Sequence, residues 1–139
     1  GGDRTNAIVG EIMMAYARSR GLAGVIINGA IRDYATISSQ NFPVFAMGVT
    51  HRGPYRDGPG EIGTSIAIDG MVIEPGDLII GDDDGVLCVP YDVADVALDA
   101  ALKKQAVEEK TVSNILSGGH MDRAWVDVAL QQLGVSIEI

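Results

Sequence analysis

One short apolar run brings two opposite charges to the edge of a protein core. Residues 24–31 read Gly-Val-Ile-Ile-Asn-Gly-Ala-Ile, and Arg32 and Asp33 follow directly. A short, β-branched run bounded by glycine is typical of a buried strand. Because unpaired charges are costly to bury, this strand must end where a cation and a carboxylate both find partners. The sequence therefore predicts a core strand with a charged carboxyl end.

Two interpretations fit that strand end. In the first, Arg32 and Asp33 form an ion pair that only completes the end of the strand, since ion pairs are commonly structural. In the second, a metal ion and an oxyanionic substrate satisfy the two charges together. The dipeptide alone does not decide between them, but the segment that precedes the strand favours the second.

That preceding segment is predicted to be a helix. Residues 10–17 read Gly-Glu-Ile-Met-Met-Ala-Tyr-Ala, and either Asn6 or Gly10 precedes the first turn. Helical spacing predicts one apolar stripe from Ile8, Ile12, Met13, Tyr16 and Ala17. Free amides at a helix start suit an anion such as a carboxylate or phosphate. A helix, a turn and the strand would return the chain, so that Glu11 faces Arg32 and Asp33 across a cleft.

Composition narrows the class of protein. A chain of 139 residues suits one domain, and a formal charge of -9 argues against nucleic acid as a direct partner. No apolar run approaches the roughly 20 residues of a membrane span, and no basic-then-apolar leader opens the sequence. Cys88 is the single cysteine and has no activating neighbour, so it is predicted to be a core thiol. A cytoplasmic protein without disulfides is expected.

Several spaced motifs resemble the class II pyruvate aldolases. The family cleaves 4-hydroxy-4-methyl-2-oxoglutarate and 4-carboxy-4-hydroxy-2-oxoadipate, and it shares its fold with the regulator of ribonuclease E activity. The resemblance covers nearly the whole chain, in the family's order. The motifs are Gly-Glu-Ile-Met at 10–13, the run 21–33, Phe-Pro-Val-Phe-Ala at 42–46, Gly-Pro-Gly-Glu-Ile-Gly at 58–63, and Pro-Gly-Asp-Leu-Ile-Ile-Gly-Asp-Asp-Asp-Gly-Val at 75–86.

The resemblance implies an α/β fold, a layered β/β/α sandwich like the swivelling domains, with a C-terminal helical extension. Residues 1–90 would form the α/β core with the metal and substrate site, and residues 91–139 the helical extension of the same domain. The extension includes a second helix with an extended tail from Trp125 to Ile139. The family also carries an N-terminal portion before the position of Gly1, so a missing N-terminal part is expected. Assembly as a homotrimer or homohexamer is implied.

The resemblance also implies roles at the site. Asp33 would bind Mg²⁺ or Mn²⁺, and no cysteine or histidine cluster favours zinc instead. The helix start at Gly10, through the amides of Ile12 and Met13, would hold the carboxylate of a small-molecule 2-oxo acid. Arg32 would donate to the C2 oxygen as the enolate forms. Retro-aldol cleavage would release pyruvate, and oxaloacetate decarboxylation would use the same enolate.

Two glutamates complete the implied site. Glu11 would orient metal-bound waters, although the most studied aldolases have aspartate at this position. A glutamate on the C-terminal helix of a neighbouring subunit would join it, and Glu109 matches that position, with Glu108 as the alternative. Without the resemblance, a run such as Glu108-Glu109-Lys110 is typical of a solvated helix face.

Two other functions stay open. One is a non-enzymatic binding protein like the ribonuclease E regulator, and the other is a different metal-enolate enzyme that acts on another 2-oxo acid. Fold alone does not decide among them. The Arg32-Asp33 pair and the C-terminal extension favour the aldolase.

Three further segments carry smaller predictions. Asp69-Gly70 is predicted to be a hairpin turn. Residues 82–85, Asp-Asp-Asp-Gly, are predicted to be another hairpin turn rather than a calcium loop, because the ligand spacing of such a loop is absent. The loop 50–60, rich in glycine and proline, could line a cleft. His51 in that loop is a candidate general base or a surface group.

Overall fold

The computed structural model describes residues 2–135 of the chain. The chain divides into two compact units, the first ending at Ala94 and the second beginning at Asp95. The elements in chain order are β1 (Ala7–Val9), α1 (Glu11–Ser19), β2 (Val25–Ile31), α2 (Tyr34–Ser38), β3 (Val44–Val49), β4 (Ile66–Ile68), β5 (Met71–Ile73), β6 (Leu78–Asp82), β7 (Gly85–Val89), α3 (Ala94–Leu116) and α4 (Ala124–Gln132).

The predicted core strand is β2, and it is the central strand of a parallel three-stranded sheet. The sheet order is β1-β2-β3, and α1 and α2 are the connections between successive strands. Ala30 and Ile31 near the end of β2 are buried. The main apolar cluster lies on this unit and consists of Met14, Ile27, Ile31, Ile37 and Phe42. The α/β prediction is therefore confirmed for the first unit.

The parallel order brings two strand ends together. β1 ends at Val9 and β2 ends at Ile31, at the same edge of the sheet. The backbone N–H of Arg32 donates to the carbonyl of Val9 at 3.1 Å, so pairing continues past the last residue of β2. In open parallel sheets the carboxyl ends of the strands are where ligands commonly bind.

Both predicted hairpin turns are present. Asp69 and Gly70 have φ angles of 49° and 83° and connect β4 to β5, as a type I′ turn requires. The turn between β6 and β7 is Asp83-Asp84, because Gly85 pairs with Asp82 as part of the strand. One carboxylate oxygen of Asp82 accepts the backbone N–H of Asp84 at 2.9 Å. The first aspartate of this acidic run therefore stabilises the turn that the run forms.

Cys88 on β7 is half-buried and is not in a disulfide. Burial raises the pKa of its thiol, and the hydrogen bond from its Sγ to Asp77 at 3.4 Å raises that pKa further. Hydrogen bonds from the backbone of Glu74, from Cys88 and from the backbone of Tyr91 lower the pKa of Asp77. A thiol held in its protonated form is a poor nucleophile, in agreement with a structural role.

The predicted apolar stripe of the first helix is wrong. Met14 is the buried residue of α1, whereas Ile12, Met13 and Tyr16 are each more than half exposed. Ile8 lies on β1, because the chain stays extended until Gly10 and the helix begins only at Glu11. Ala17 packs against the core, so α1 covers the sheet with a narrow face.

The second unit is helical, as the pattern after Tyr91 predicts. α3 runs without a break through Glu108-Glu109-Lys110, and α4 ends at Gln132. Residues 136–139 of the predicted tail lie outside the described residues. Within residues 2–135, no helix combines the length and the apolar character that crossing a membrane would take.

The contrast between two adjacent methionines tests the orientation of α1. Met14 is 3% exposed and Met13 is 53% exposed. We expect Met14→Ala to lower the free energy of unfolding by about 2–5 kcal/mol, because it removes buried apolar contacts. Met13→Ala should change it by less than about 1 kcal/mol. Chemical denaturation of both variants measures the difference, and equal losses would contradict the orientation.

Candidate active site

The site begins where the chain leaves β1 and β2. Gly10 follows β1 and caps α1 with an extended backbone. Asp33 caps α2 in the left-handed conformation, with φ 59° and ψ 34°. A residue other than glycine in that conformation is uncommon, although aspartate tolerates it better than most, and such residues cluster at functional sites.

The Asp33 carboxylate connects the two strand ends. Its Oδ2 accepts the backbone N–H of Glu11 at 3.1 Å and lies 3.5 Å from Nε of Arg32. An aspartate that follows β2 therefore caps the helix that follows β1. The side chains of Arg32 and Asp33 are 42% and 36% exposed, so both groups of this ion pair stay accessible to a ligand.

Gly10 makes this close approach possible. A Cβ at position 10 would overlap Oδ2 of Asp33, and it would lie 2.9 Å from Cγ and 3.0 Å from Nε of Arg32. Real Cβ atoms are essentially never found so close to other heavy atoms. The space beside the backbone of Gly10 is thus occupied by the charged pair itself.

A cavity of about 400 Å³ opens at this edge of the sheet. It has the size of a small-molecule site. The structure brings four of the residues predicted to bind substrate, Gly10, Ile12, Met13 and Arg32, to this one cavity. It also explains why Ile12 and Met13 are exposed. The lining residues are Ile8, Val9, Gly10, Ile12, Met13, Arg32, Pro54, Tyr55 and Arg56.

The loop after β3 forms the other wall. The backbone N–H of Ala7 donates to the carbonyl of Arg52 at 3.0 Å, and Nδ2 of Asn6 donates to the carbonyl of Gly53 at 2.7 Å. These two hydrogen bonds tie the loop to the start of β1, and Pro54, Tyr55 and Arg56 then reach the cavity.

The prediction that this loop lines a cleft is confirmed, but His51 is not among the lining residues. Sequence reasoning missed Tyr55 and Arg56. A cation in a loop marked by glycine and proline was the available signal for Arg56.

The first turn of α1 leaves one amide open. The N–H of Glu11 donates to Asp33, and that of Met13 donates to the carbonyl of Gly10 at 3.1 Å. Within residues 2–135 the N–H of Ile12 has no hydrogen-bond acceptor. Of the two amides predicted to hold a carboxylate, the amide of Ile12 is therefore the one with free capacity.

The predicted glutamates have different surroundings. Glu11 is exposed, and it contacts Asp33 through its backbone. Glu109 lies on α3 and accepts a hydrogen bond from Nε2 of Gln105 at 3.1 Å. Glu108 pairs with Lys104 at 3.6 Å. The catalytic roles of Glu11 and Glu109 stay predictions.

The donor set suits a hydrated hard cation. In the described part of the chain, no group of three or more histidine, cysteine, aspartate or glutamate residues could hold a metal. Mg²⁺ usually keeps several waters and binds through one or two carboxylates. A single half-exposed carboxylate such as Asp33 fits that demand, whereas a zinc site would need more protein ligands.

Comparison with known proteins identifies one matching family. Residues 1–88 match the model of the Aldolase/RraA family, described as RraA-like. A Halalkalibacterium halodurans protein named "Putative 4-hydroxy-4-methyl-2-oxoglutarate aldolase" is 42% identical over 108 residues, which cover 78% of this chain and 51% of that protein. The chain thus spans about half the length of that relative.

Solved structures show the same fold. An uncharacterized protein from Pseudomonas syringae pv. tomato superposes with a TM-score of 0.79 at 28% identity, over 86% of this chain and 60% of that one. RraAS2 from Streptomyces coelicolor, described as an unusual member of the RNase ES inhibitor RraA protein family, superposes with a TM-score of 0.74 at 27% identity. That match covers 81% of this chain and 58% of that one.

Substitution of Gly10 tests the closeness of the charged pair. We expect Gly10→Ala to lower the free energy of unfolding by about 1–3 kcal/mol, because the new methyl group displaces Asp33 and Arg32. Gly48→Ala is the matched control, since a Cβ there meets no atom within 4 Å. It should change the free energy by less than about 1 kcal/mol. Denaturant titration of both variants measures this, and a neutral Gly10→Ala would contradict the described packing.

Proposed function

Because the chain belongs to the RraA-like Aldolase/RraA family, we propose that it cleaves a 4-hydroxy-2-oxo diacid of the 4-hydroxy-4-methyl-2-oxoglutarate type by a retro-aldol reaction. Pyruvate is the released product, and oxaloacetate decarboxylation proceeds through the same enolate. One observation carries the proposal: Arg32 and the first turn of α1 line a cavity of about 400 Å³, and the Asp33 carboxylate contacts both the Glu11 amide and the Arg32 guanidinium.

Asp33 is the proposed ligand of Mg²⁺ or Mn²⁺. Such a cation, when bound, supplies Lewis-acid polarisation of the substrate's keto group. The Glu11 amide and the Arg32 guanidinium both lie against Oδ2 of Asp33 and hold the carboxylate in place. Asp33 accepts no hydrogen bond at Oδ1 from residues 2–135, which leaves that oxygen for the cation.

Arg32 stabilises the charge that develops at the C2 oxygen. As the bond between C3 and C4 breaks, its electron pair moves toward C3 and the negative charge on the C2 oxygen grows. A guanidinium fixed at a strand end is a preorganised donor for that oxygen, and loss of one such donor typically costs about 100- to 1000-fold in rate. The free Ile12 amide, at the positive end of α1, binds the C1 carboxylate.

Carboxylates receive the proton of the C4 hydroxyl. This hydroxyl must lose its proton as the C3–C4 bond breaks and the C4 carbonyl forms. We assign the proton transfer to Glu11 and to Glu109 of a neighbouring subunit, acting through water. The same water-linked carboxylates then return a proton to C3 of the enolate, which gives pyruvate. The extra methylene of Glu11, compared with aspartate, moves its carboxylate outward, and contact through water accommodates that reach. Glu109 in this role requires an assembly, for which a homotrimer or homohexamer is proposed.

A binding function is the second candidate. The likeness to RraAS2, a member of the RNase ES inhibitor RraA protein family, favours it. A protein that acts only by binding needs neither a metal ligand nor an oxyanion donor. Dependence of a chemical reaction on Asp33 therefore separates the two candidates.

Removal of the proposed metal ligand tests the reaction. We expect Asp33→Ala to lower Mg²⁺-dependent pyruvate release from oxaloacetate by at least about 100-fold, because the keto group loses its polarising cation. EDTA should do the same to the wild-type protein. Lactate dehydrogenase coupling measures pyruvate, and calorimetry with Mn²⁺ should show binding to the wild type and none to the variant.

Asp83→Ala is the matched control for this test. It removes an aspartate from the exposed β6–β7 turn, distant in sequence from the cavity-lining residues. Its rate should stay within about twofold of the wild type. If wild type, Asp33→Ala and a protein-free blank released pyruvate alike, the enzymatic proposal would fail and the binding function would take its place.

Mixing two inactive variants tests whether Glu109 acts across subunits. Asp33→Ala and Glu109→Gln should each be inactive alone, and co-refolding should restore part of the activity, because some sites then combine an intact Asp33 with an intact Glu109 from the neighbour. Glu108→Gln is the control and should keep near-normal activity. A fully active monomer, or a mixture without recovery, would contradict the assignment.

A further inference from the structure

The cavity has a charge opposite to that of the whole chain. The sequence carries 19 acidic residues against 10 lysines and arginines, a formal charge of -9. Yet the nine residues that line the cavity include two arginines, Arg32 and Arg56, and no carboxylate. An apolar wall with two cations is a site for a ligand with more than one negative charge.

The two arginines differ in their partners. Arg32 lies 3.5 Å from Asp33, which offsets part of its charge. Arg56 forms no ion pair with any carboxylate within residues 2–135. Its charge is therefore available to a ligand in the cavity.

The position of Arg56 is supported by the loop anchor. Hydrogen bonds from Ala7 and Asn6 hold the carbonyls of Arg52 and Gly53 at the start of β1. Gly53 also passes close to Arg32, since a Cβ at position 53 would lie 3.6 Å from Nη1 of Arg32. Three residues later, Arg56 reaches the same cavity from the loop side.

We propose that Arg56 binds the second carboxylate of a dicarboxylic 2-oxo acid and makes the site select diacids over monoacids of equal length. This inference rests on the proposed function for its assignment of the pyruvyl end to Arg32 and Ile12. A guanidinium pairs with a carboxylate through two parallel hydrogen bonds, and such charge-assisted bonds are roughly twice as strong as neutral ones. Ile8, Ile12 and Met13 form the apolar part of the same lining.

The site discriminates between diacids and monoacids because only a diacid offers a carboxylate to Arg56. A monoacid would place a methyl group where the second carboxylate belongs. Arg56 would then gain no partner, so the monoacid would lack the charge-assisted hydrogen bonds that the diacid makes.

Binding of two unreactive acids tests the proposal. C5 is a carboxylate in 2-oxoglutarate and a methyl group in 2-oxopentanoate, and the two acids are otherwise the same. Neither has the 4-hydroxyl that cleavage requires. We expect the wild-type protein in Mg²⁺ buffer to bind the diacid at least about 10-fold more tightly. In Arg56→Gln the affinity for 2-oxoglutarate should fall by about 10- to 100-fold, while that for 2-oxopentanoate should change by less than about twofold. Isothermal calorimetry provides both constants.

Arg52→Gln is the matched control. Arg52 is a cation of the same loop, but its side chain does not line the cavity. The substitution leaves the anchoring backbone carbonyl of this residue in place. Both affinities should remain unchanged in this variant. The proposal would be overturned if Arg56→Gln lost affinity for both acids equally or for neither. A wild-type protein that binds the diacid no more tightly than the monoacid would also overturn it.

The calorimetric test is independent of turnover. Failure of the wild-type protein to release pyruvate would refute the proposed reaction. The affinities for the two acids would still test the role of Arg56. Pyruvate release together with an unchanged diacid preference in Arg56→Gln would refute the role of Arg56 and leave the reaction standing.

Discussion

The carboxylate of Asp33 joins the ends of two adjacent parallel strands, and the arrangement of the site depends on that contact. It accepts the first amide of α1 at 3.1 Å while it lies beside the guanidinium of Arg32. Gly10 permits the approach because any side chain there would occupy the same space. That carboxylate, itself the proposed metal ligand, thereby holds the helix start and the guanidinium together beside a single cavity. The helix start at Glu11 and the aspartate that caps it are 22 positions apart in the sequence.

Electrostatics give that cavity its chemical character. The chain is strongly acidic, so most of its surface repels a dianionic acid, yet the cavity lining contains two arginines and no carboxylate. The two guanidinium groups attract such an anion locally, against the acidic charge of the rest of the chain. The proposed aldolase chemistry and the proposed diacid selectivity both draw on this reversal of charge, one through Arg32 and the other through Arg56.

Several elements could be predicted because their signals are local. The strand that became β2 was marked by a β-branched run between glycines, and the β4–β5 turn by Asp69-Gly70. The apolar stripe of α1 was predicted incorrectly, because Ile12 and Met13 line the cavity while Met14 packs into the core. An apolar residue that faces a ligand and one that faces a core look alike in sequence. For the same reason Tyr55 and Arg56 were missed: no periodicity marks which residues of an irregular loop face a cavity.

The sequence by itself determined the residue types and their order: a buried strand that ends in Arg32-Asp33, a preceding helix that starts after Asn6 or Gly10, and motifs that match one family over residues 1–88. Only the tertiary structure decided which of these groups meet. Parallel pairing of β1 with β2 put Gly10 beside Asp33 across 23 positions, and two backbone-anchoring hydrogen bonds brought the loop of Arg56 to the same cavity. Contacts of that kind depend on strand order and on long-range hydrogen bonds, which local sequence patterns do not encode.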